Sequence, residues 1–332
     1  MYSSYHIAYS MDRSCKIVPF IFLLLICSVI EGQEQEGLSY GFYDQSCPLL
    51  ESMVRAATKT FLLSDPTTGS ALLRLFFHDC QVQGCDASIL IDLEQSEVLS
   101  SKNLGIRKRE VVNAIKSMVE VVCPQQVSCA DILVLAARDS VALYGGPAIK
   151  VPLGRRDSSN PPNYKLADSL LPPATTGVDE MLSLFGEKGF TVEESVAIIG
   201  AHTIGATHCM NVRKRLFDPA ARQGNEIPAD LSALLTVNCP LGSLTWNVSY
   251  LPNDETPMIF DNRYYANTMR RWGAINIDAV MPLDPRTAGH VRRFAADQGE
   301  FFRAFSSAFV KLSSSEVLTG KQGVIRRTCN YL

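Results

Sequence analysis

The sequence predicts a mostly α-helical protein with minor β-structure, and three observations lead to this fold class. Apolar residues recur at helical spacing in several segments, whereas the alternation that is typical of half-buried strands is short and scattered. Apolar residues make up 46% of the chain and charged residues 20%, a balance that supplies a sizeable core. The 332 residues contain neither an internal repeat nor a low-complexity linker. We therefore expect a helical protein in two halves around a central site.

The beginning of the chain has the pattern of a secretory signal peptide, which we assign to residues 1–32. Two basic residues precede an apolar run at 17–30, which is shorter than the about 20 residues that span a bilayer. Cleavage would leave residues 33–332 as a soluble, secreted chain without a membrane span. A buried core helix is the alternative interpretation of the apolar run, and Met11 is an alternative start of the protein.

The net charge and the cysteine count narrow the class of protein further. A formal net charge of −3 argues against a nucleic-acid binder and against a polybasic membrane-surface protein. Of the ten cysteines, Cys15 and Cys27 lie in the leader, so eight remain for the secreted chain. This even number suggests four disulfide bonds, and the spacing leaves their pairing open. The sequon at Asn247 is consistent with secretion.

The first predicted helices follow one another between residues 50 and 146. One apolar face runs through 50–61 and a second through 111–122. The segment Ala130–Leu143 is mostly apolar, Ser128 is a candidate N-cap, and the glycine pair 145–146 ends the pattern. This third segment therefore predicts a central, buried helix.

The second half of the chain has weaker helical signals and one predicted loop. Thr191 and Glu194 form a capping box ahead of a short apolar helix. Residues 262–272 and 285–312 also have helical spacing. The Pro- and Asn-rich stretch Ser158–Pro173 is typical of an extended surface loop.

The leader aside, the chain has only four histidines, and two of them stand in unusual surroundings. Arg74 and His78 are four residues apart, so they share one face of a predicted apolar helix. A cation and an imidazole on such a face are costly unless they serve a site, although a structural salt bridge is the alternative. His202 follows an apolar helix between small residues, which permits the close approach of a large flat group. A helix-capping histidine is the alternative there.

The loop after His78 has the oxygen ligands that calcium prefers. The donors would be the side chains of Asp79, Asp86 and Ser88 and the carbonyl groups of Val82 and Gly84. Cys80 and Cys85 are close enough in sequence to close this loop by a disulfide bond. An acidic turn closed by a disulfide, without a metal, is the alternative.

Six segments, in this order, resemble those of the secreted plant heme peroxidases of class III. They are LRLFFHDC, GCDAS, VSCADI, PLGRRDS, GAHTIG and FDNRYY. The resemblance runs from Leu38 to Cys329 and includes all eight cysteines. It implies a two-lobed helical domain with heme b between a distal lobe, about 33–170, and a proximal lobe, about 171–332.

The resemblance implies a role for each residue on the two sides of the heme. His202 matches the proximal ligand of the heme iron, and Asp278 matches the carboxylate that accepts its other N–H. His78 matches the distal acid–base group, which takes a proton from hydrogen peroxide and returns it to the leaving oxygen. Arg74 would stabilise the charge that develops as the O–O bond breaks.

Three further positions carry over to the distal side. Asn103 matches the residue that holds the tautomer of His78 by a hydrogen bond. Phe77 matches the aromatic wall that keeps bulky substrates from the iron. Pro172 matches a proline whose carbonyl group contacts phenolic donors.

The resemblance also implies two calcium sites and four disulfide bonds. The distal calcium ligands are Asp79, Val82, Gly84, Asp86 and Ser88, with Glu97 linked through water. The proximal set is Thr203, Asn253, Thr256, Ile259 and Asp261. The implied disulfide pairs are Cys47–Cys123, Cys80–Cys85, Cys129–Cys329 and Cys209–Cys239.

The sequence departs from the family pattern at several positions. Asn253 stands where the family has Asp, with Asp254 beside it, so the proximal calcium site is expected to be weaker or shifted. Phe76 stands where His is frequent, and the segment 96–109 departs from the common small-residue pattern. Residues 279–280 replace a Gln-containing turn. His208 and His290 match no catalytic position.

The expected function is a secreted, monomeric peroxidase that uses hydrogen peroxide to oxidise small phenolic donors. The short end after Cys329 lacks an apolar extension, which favours the extracellular space or the cell wall, where wall polymers are candidate partners. One alternative is a weakly catalytic wall protein that binds calcium or polysaccharide. Another is a non-heme hydrolase, against which the lack of G-x-S-x-G and H-E-x-x-H argues. The physiological donor is left open among lignin monomers, suberin phenolics, wall extensins and auxin.

Overall fold

Helices dominate the computed structural model, which describes residues 37–218, 226–240 and 250–332. The mostly helical fold class is confirmed. The predictions for residues 1–32 and for the sequon at Asn247 lie outside the described residues. Within the described parts, Gly37–Leu332 forms one compact unit.

The described helices and strands follow in chain order, with short 3₁₀ turns between them. They are α1 Leu50–Ser64, α2 Thr68–Gln81, α3 Arg109–Val122, α4 Cys129–Leu143, α5 Tyr164–Leu170, α6 Val178–Glu187, α7 Val192–Ile199, β1 Ala206–His208, α8 Cys209–Phe217, α9 Ala229–Asn238, β2 Tyr250–Pro252, α10 Arg263–Met269, α11 Asn276–Val280, α12 Ala288–Ala296 and α13 Gln298–Ser314. Strands β1 and β2 pair antiparallel, with Thr207 opposite Leu251.

Helix α4 lies at the centre of the N-terminal helices and packs against α1, α2 and α3. As predicted, the Ser128 hydroxyl caps it by accepting a hydrogen bond from the backbone N–H of Asp131. Most of its side chains are fully buried, and each buried Leu, Ile or Val contributes roughly 1.5–3 kcal/mol. This buried helix gives α2, the carrier of Arg74 and His78, a rigid support.

An aromatic cluster forms the other part of the core and joins α13 to α2. Phe301, Phe305 and Phe309 line one face of α13 and are fully buried. Phe76 of α2 stacks on Phe309 with ring centroids 4.4 Å apart. The aromatic residue at position 76, a departure from the family pattern, therefore serves apolar packing between α2 and α13.

The four disulfide bonds join the pairs that the resemblance implies. They are Cys47–Cys123, Cys80–Cys85, Cys129–Cys329 and Cys209–Cys239. Cys129 begins the central helix α4, so the third bond ties that helix to the C-terminal end of the chain.

The prediction of an extended loop at Ser158–Pro173 is wrong, because this stretch contains helix α5. The Asn163 side chain caps α5 by accepting hydrogen bonds from the backbone N–H groups of Lys165 and Leu166. Ala167 of α5 is fully buried and belongs to a small apolar cluster. Proline pairs on both sides of α5 outweighed the helical signal of its seven residues.

The remaining helix predictions are confirmed with shifted ends. Residues 262–272 contain α10, and 285–312 contain α12 and α13, which are separated at Asp297. The capping box of Thr191 and Glu194 is present at the start of α7. No helix among the described residues is long and apolar enough to cross a bilayer.

Glu194 extends the capping box into a link between α7 and α13. Its carboxylate accepts hydrogen bonds from Ser307 at 2.8 Å and from the Lys311 ammonium at 2.6 Å. Burial alone would raise the pKa of this carboxyl group, but Lys311 and the hydroxyl donors lower it to about 2. The charged form of Glu194 therefore stabilises the helix that leads to His202.

We expect Glu194→Gln to lower the free energy of unfolding by about 1–3 kcal/mol at pH 7. Because the folded-state pKa is depressed, this contribution is present above the ordinary value of 4.5 and is lost as the pH falls towards 2. The two proteins should therefore converge in acid denaturation series. Glu193→Gln is the control, since Glu193 and its partner Arg293 are each about 40% exposed. An equal loss in both variants, or a pH-independent loss, contradicts the prediction.

Candidate active site

Arg74 and His78 lie on one face of α2, as their spacing predicts, and contact each other directly. The Nε of Arg74 donates a hydrogen bond to Nε2 of His78 at 3.1 Å. On the other side of the ring, Nδ1 of His78 lies 2.5 Å from Oδ1 of Asn103. Because Arg74 and the Asn103 oxygen fix the roles of the two ring atoms, Nδ1 carries the proton and Nε2 keeps its lone pair.

The Asn103 amide is itself held in place by the segment before it. Its Nδ2 donates to the carbonyl group of Glu97 at 2.7 Å, which leaves Oδ1 facing His78. Asn103 closes a 3₁₀ turn that begins at Ser101, and it is 2% exposed. The turn therefore places a polar side chain against the imidazole on α2, although the two residues are 25 positions apart in sequence.

The surroundings of His78 keep its imidazole neutral. Burial, followed by the charge of Arg74, lowers the pKa of His78 to about 3, although the Asn103 hydrogen bond opposes this. Burial and then the nearby Arg107 lower the pKa of Arg74 to about 10. At neutral pH a neutral imidazole thus stands beside a charged guanidinium, an arrangement that can accept a proton and stabilise an anion.

Phe77 contacts His78 of this pair, and the residue before Pro172 is linked to the segment that carries Asn103. The Phe77 ring meets the His78 ring edge-on at 5.7 Å and is half-buried. The carbonyl group of Leu171, next to Pro172, accepts a hydrogen bond from Lys102, the neighbour of Asn103.

His202 lies in the 3₁₀ turn Gly200–Thr203 that follows α7. Its Nδ1 is 2.9 Å from Oδ1 of Asp278, which α11 carries in its first turn. A Cβ atom at Gly200 would collide with the hydroxyl of Tyr265, so the turn needs glycine at this position. Among the described residues, Nε2 of His202 has no hydrogen-bond partner, and the side chain is 34% exposed.

A tyrosine that the sequence analysis did not single out completes the surroundings of His202. The Tyr264 hydroxyl donates to Oδ1 of Asp278 at 2.6 Å, and its ring meets the His202 ring edge-on at 5.9 Å. Tyr264 belongs to the FDNRYY segment, which is the one sequence signal that could have indicated it.

The two histidines have the chemistry that a heme requires. His202 offers an unpartnered imidazole nitrogen backed by a carboxylate, which is the arrangement that orients and strengthens a metal-binding histidine. His78 offers a second, neutral imidazole. The chain neighbours of the two histidines include half-buried apolar residues, namely Phe77, Ile199 and Ala201. The residues present therefore fit a heme.

Asp79, Asp86 and Glu97, three of the predicted distal calcium residues, are close enough for their charges to interact. Asp79 is fully buried and its Oδ1 has no hydrogen-bond partner among the described residues; the same holds for Oε2 of Glu97, which is 3% exposed. Burial, then Asp86 and Glu97, raises the pKa of Asp79 well above its usual value. Unpartnered, buried carboxyl oxygens of this kind fit a bound cation.

The backbone of this loop turns sharply at Gly84. Gly84 has a φ of +94°, and a Cβ there would collide with the carbonyl group of Glu316. The backbone N–H of Ser88 donates to Asp86 at 3.0 Å. No cluster of three His, Cys, Asp or Glu side chains suited to a metal exists in the described ranges.

On the proximal side, Asp254 rather than Asn253 joins the predicted ligand residues. The Thr203 hydroxyl lies 2.8 Å from Asp254 and 3.3 Å from Asp261. Burial is the main cause that raises the pKa of Asp254, to about 6, and the charge of Asp261 adds to it. The hydrogen bonds from Thr203 and Thr256 act in the opposite direction.

The other two predicted proximal residues are placed differently. The Asn253 side chain makes no hydrogen bond within the described residues. The side chain of Ile259 is 50% exposed and has no donor atom, so its carbonyl group is the candidate ligand. The direction of a loop side chain decides between neighbours such as Asn253 and Asp254, and sequence spacing does not encode it.

Fold and site together define a class of protein, the helical heme enzymes that act on peroxides. A family model described as Peroxidase matches residues 51–297. The chain is 51% identical to Peroxidase 29 of Arabidopsis thaliana over 335 residues, which cover 98% of this chain and 97% of that protein. It is 40% identical to Peroxidase 28 of the same plant over 323 residues, covering 95% and 98%. Peroxidase 2 of Oryza sativa subsp. japonica is 39% identical over 310 residues, covering 93% and 96%.

The chain belongs to the peroxidase family. It is a heme-dependent enzyme that uses hydrogen peroxide to oxidise reducing substrates.

Proposed function

We propose that the chain is a secreted peroxidase that binds heme b through His202 and oxidises phenolic donors in the extracellular space or the cell wall. The observation that carries this proposal is the pair of imidazoles, each with Nδ1 fixed by an acceptor, so that Nε2 has its lone pair available, at His78 beside Arg74. The leader pattern of residues 1–32 and the four disulfide bonds support secretion, because disulfides persist in oxidising compartments.

Heme b, when bound, supplies the two-electron redox capacity that peroxide cleavage requires. Nε2 of His78 takes a proton from one peroxide oxygen and delivers it to the other, which leaves as water. Asn103 holds the proton on Nδ1 throughout, so that Nε2 stays the acceptor. Arg74 turns its hydrogen bond from His78 to the oxygen that gains negative charge.

Two donor molecules then each give up one electron and one proton, so that one peroxide and two donors yield two waters and two donor radicals. Phe77 limits access to the distal side, and the carbonyl group of Pro172 would contact the phenolic donor, as the resemblance implies. Asp278 gives the ring of His202 anionic character through the hydrogen bond at Nδ1.

The first test is a spectrum of the mature chain folded with heme and calcium. The Soret band is recorded before and after one equivalent of hydrogen peroxide, and again after guaiacol. The proposal expects a heme band that shifts with peroxide and returns with guaiacol. A band that never shifts favours the weakly catalytic wall protein, and a folded chain without a heme band rules out His202 as the ligand.

We further propose that two calcium ions hold the loops beside His78 and His202. The distal ion would take Asp79, Val82, Gly84, Asp86 and Ser88, with Glu97 through water. The proximal ion would take Thr203, Thr256, Ile259 and Asp261. Asp254 supplies the charge that Asn253 lacks. The unpartnered carboxyl oxygens of Asp79 and Glu97 support the distal ion.

Removal of calcium with a chelator should lower the melting temperature by about 5–10 °C. The reference is the same protein at a free calcium concentration about 100-fold above the Kd. The effect follows because the ion binds the folded chain and not the unfolded one. Asp79→Asn should reduce the chelator effect, whereas the control Asp92→Asn, at a carboxylate that is 49% exposed, should keep it. Equal chelator effects in all three proteins would overturn the distal site.

A further inference from the structure

Two hydrogen bonds meet on a single oxygen behind His202. Oδ1 of Asp278 accepts from Nδ1 of His202 at 2.9 Å and from the Tyr264 hydroxyl at 2.6 Å. No other hydrogen bond reaches this carboxylate from the part of the chain that the structure describes. Tyr264 is 1% exposed and Asp278 4%, so water does not compete for the shared oxygen.

A carboxylate oxygen that serves two donors gives less of its charge to each of them. In a buried site with a low effective dielectric, removal of one donor strengthens the bond to the other. The Tyr264 bond, at 2.6 Å, has the length of a charge-assisted O–H···O⁻ bond, so the hydroxyl is a full partner of the carboxylate beside His202. Burial raises the pKa of Tyr264 well above its usual value, which keeps the hydroxyl a donor.

We propose that Tyr264 is a positioning residue of this peroxidase: it orients Asp278 and limits the negative charge that Asp278 passes to His202. The inference rests on the proposed function, in which His202 binds the heme iron. Since a stronger hydrogen bond at Nδ1 favours the ferric state, Tyr264 would set the reduction potential of the heme.

Tyr264→Phe removes only the hydroxyl and keeps the ring against His202. We expect the ferric-to-ferrous ratio of the holoenzyme at a fixed applied potential to rise by about tenfold. For a one-electron couple this is a fall of about 59 mV in midpoint potential, measured by redox titration of the Soret band. The iron–histidine stretching frequency in resonance Raman spectra should rise at the same time, because His202 then receives more negative charge from Asp278.

The neighbouring tyrosine is a matched control. Tyr265 is fully buried on the same helix, and its hydroxyl donates to the carbonyl group of Val196 at 2.9 Å instead of to Asp278. Tyr265→Phe should lower the melting temperature to a similar extent, because it also removes a buried hydrogen bond, but leave the potential unchanged. Equal shifts of potential in both variants would show a structural effect and overturn the inference.

A double substitution tests whether Tyr264 acts through Asp278. In the Asp278→Asn background, Tyr264→Phe should no longer change the potential. A shift of the same size in both backgrounds contradicts the inference. If Tyr264→Phe does not retain heme, 3-fluorotyrosine at position 264 keeps ring and hydroxyl, and its more acidic hydroxyl should raise the potential. An unchanged potential then overturns the inference.

The two proposals fail in distinguishable ways. A folded wild-type chain that binds no heme contradicts the assignment of His202 itself. A wild-type chain that binds heme and turns over peroxide, combined with an unchanged potential in Tyr264→Phe, contradicts only the role of Tyr264.

Discussion

His78→Leu should slow the reaction with hydrogen peroxide by about 10²–10⁴-fold, the range that a positioned general acid–base contributes. Leucine fills the space of the ring but cannot accept the peroxide proton, and Arg74 loses its partner at 3.1 Å. The measurement is the second-order rate constant of the Soret change in stopped flow. Heme content should stay unchanged, because His202 is untouched.

The pH dependence of the wild-type rate adds a second readout. Since the pKa of His78 is held at about 3, the imidazole stays neutral and the rate should not change between about pH 5 and 8. His290→Leu, at a histidine that is paired with Arg293 near the surface, should leave the rate as it is. A loss smaller than about tenfold in His78→Leu would show that another group moves the proton.

His202→Ala should lose most of its bound heme during gel filtration. Removal of an outer hydrogen-bond partner costs about 10–100-fold in metal affinity, and removal of the ligand itself should cost more. The substitution also leaves Asp278 and Tyr264 facing an imidazole-sized space. Imidazole added to the buffer should therefore restore heme binding and the Soret band.

Two controls make the result specific. His290→Ala should keep a normal heme content, which would show that the heme loss in His202→Ala does not come from general destabilisation. Circular dichroism should show that His202→Ala remains helical, because its fold rests on the aromatic cluster and on α4. Retention of heme without imidazole would exclude His202 as the iron ligand.

The parts of the site that lie on one helix could be predicted from local spacing. The shared face of Arg74 and His78 followed from the four-residue spacing on α2, whereas their roles came from the resemblance. Asn103 could be assigned only through the resemblance, because a 3₁₀ turn brings it to His78 from a distant segment. No periodicity encodes such a contact.

The features that the sequence analysis missed depend on side-chain direction and on competing local signals. Asp254, and not its neighbour Asn253, contacts Thr203, and which of two adjacent side chains does so is a property of the folded loop. The importance of Tyr264 depends on its hydrogen bond to Asp278, which only the folded structure shows. Helix α5 was hidden by flanking prolines, although the Asn163 cap overrides them.

The disulfide pattern gives each half of the site its own covalent ring. Cys47–Cys123 encloses Arg74, His78 and Asn103, and Cys129–Cys329 encloses His202 and Asp278. A single proteolytic cut inside either ring leaves both new ends attached to the same molecule. A protein of this design should therefore tolerate nicking in a protease-rich medium, with fragments that separate only after reduction.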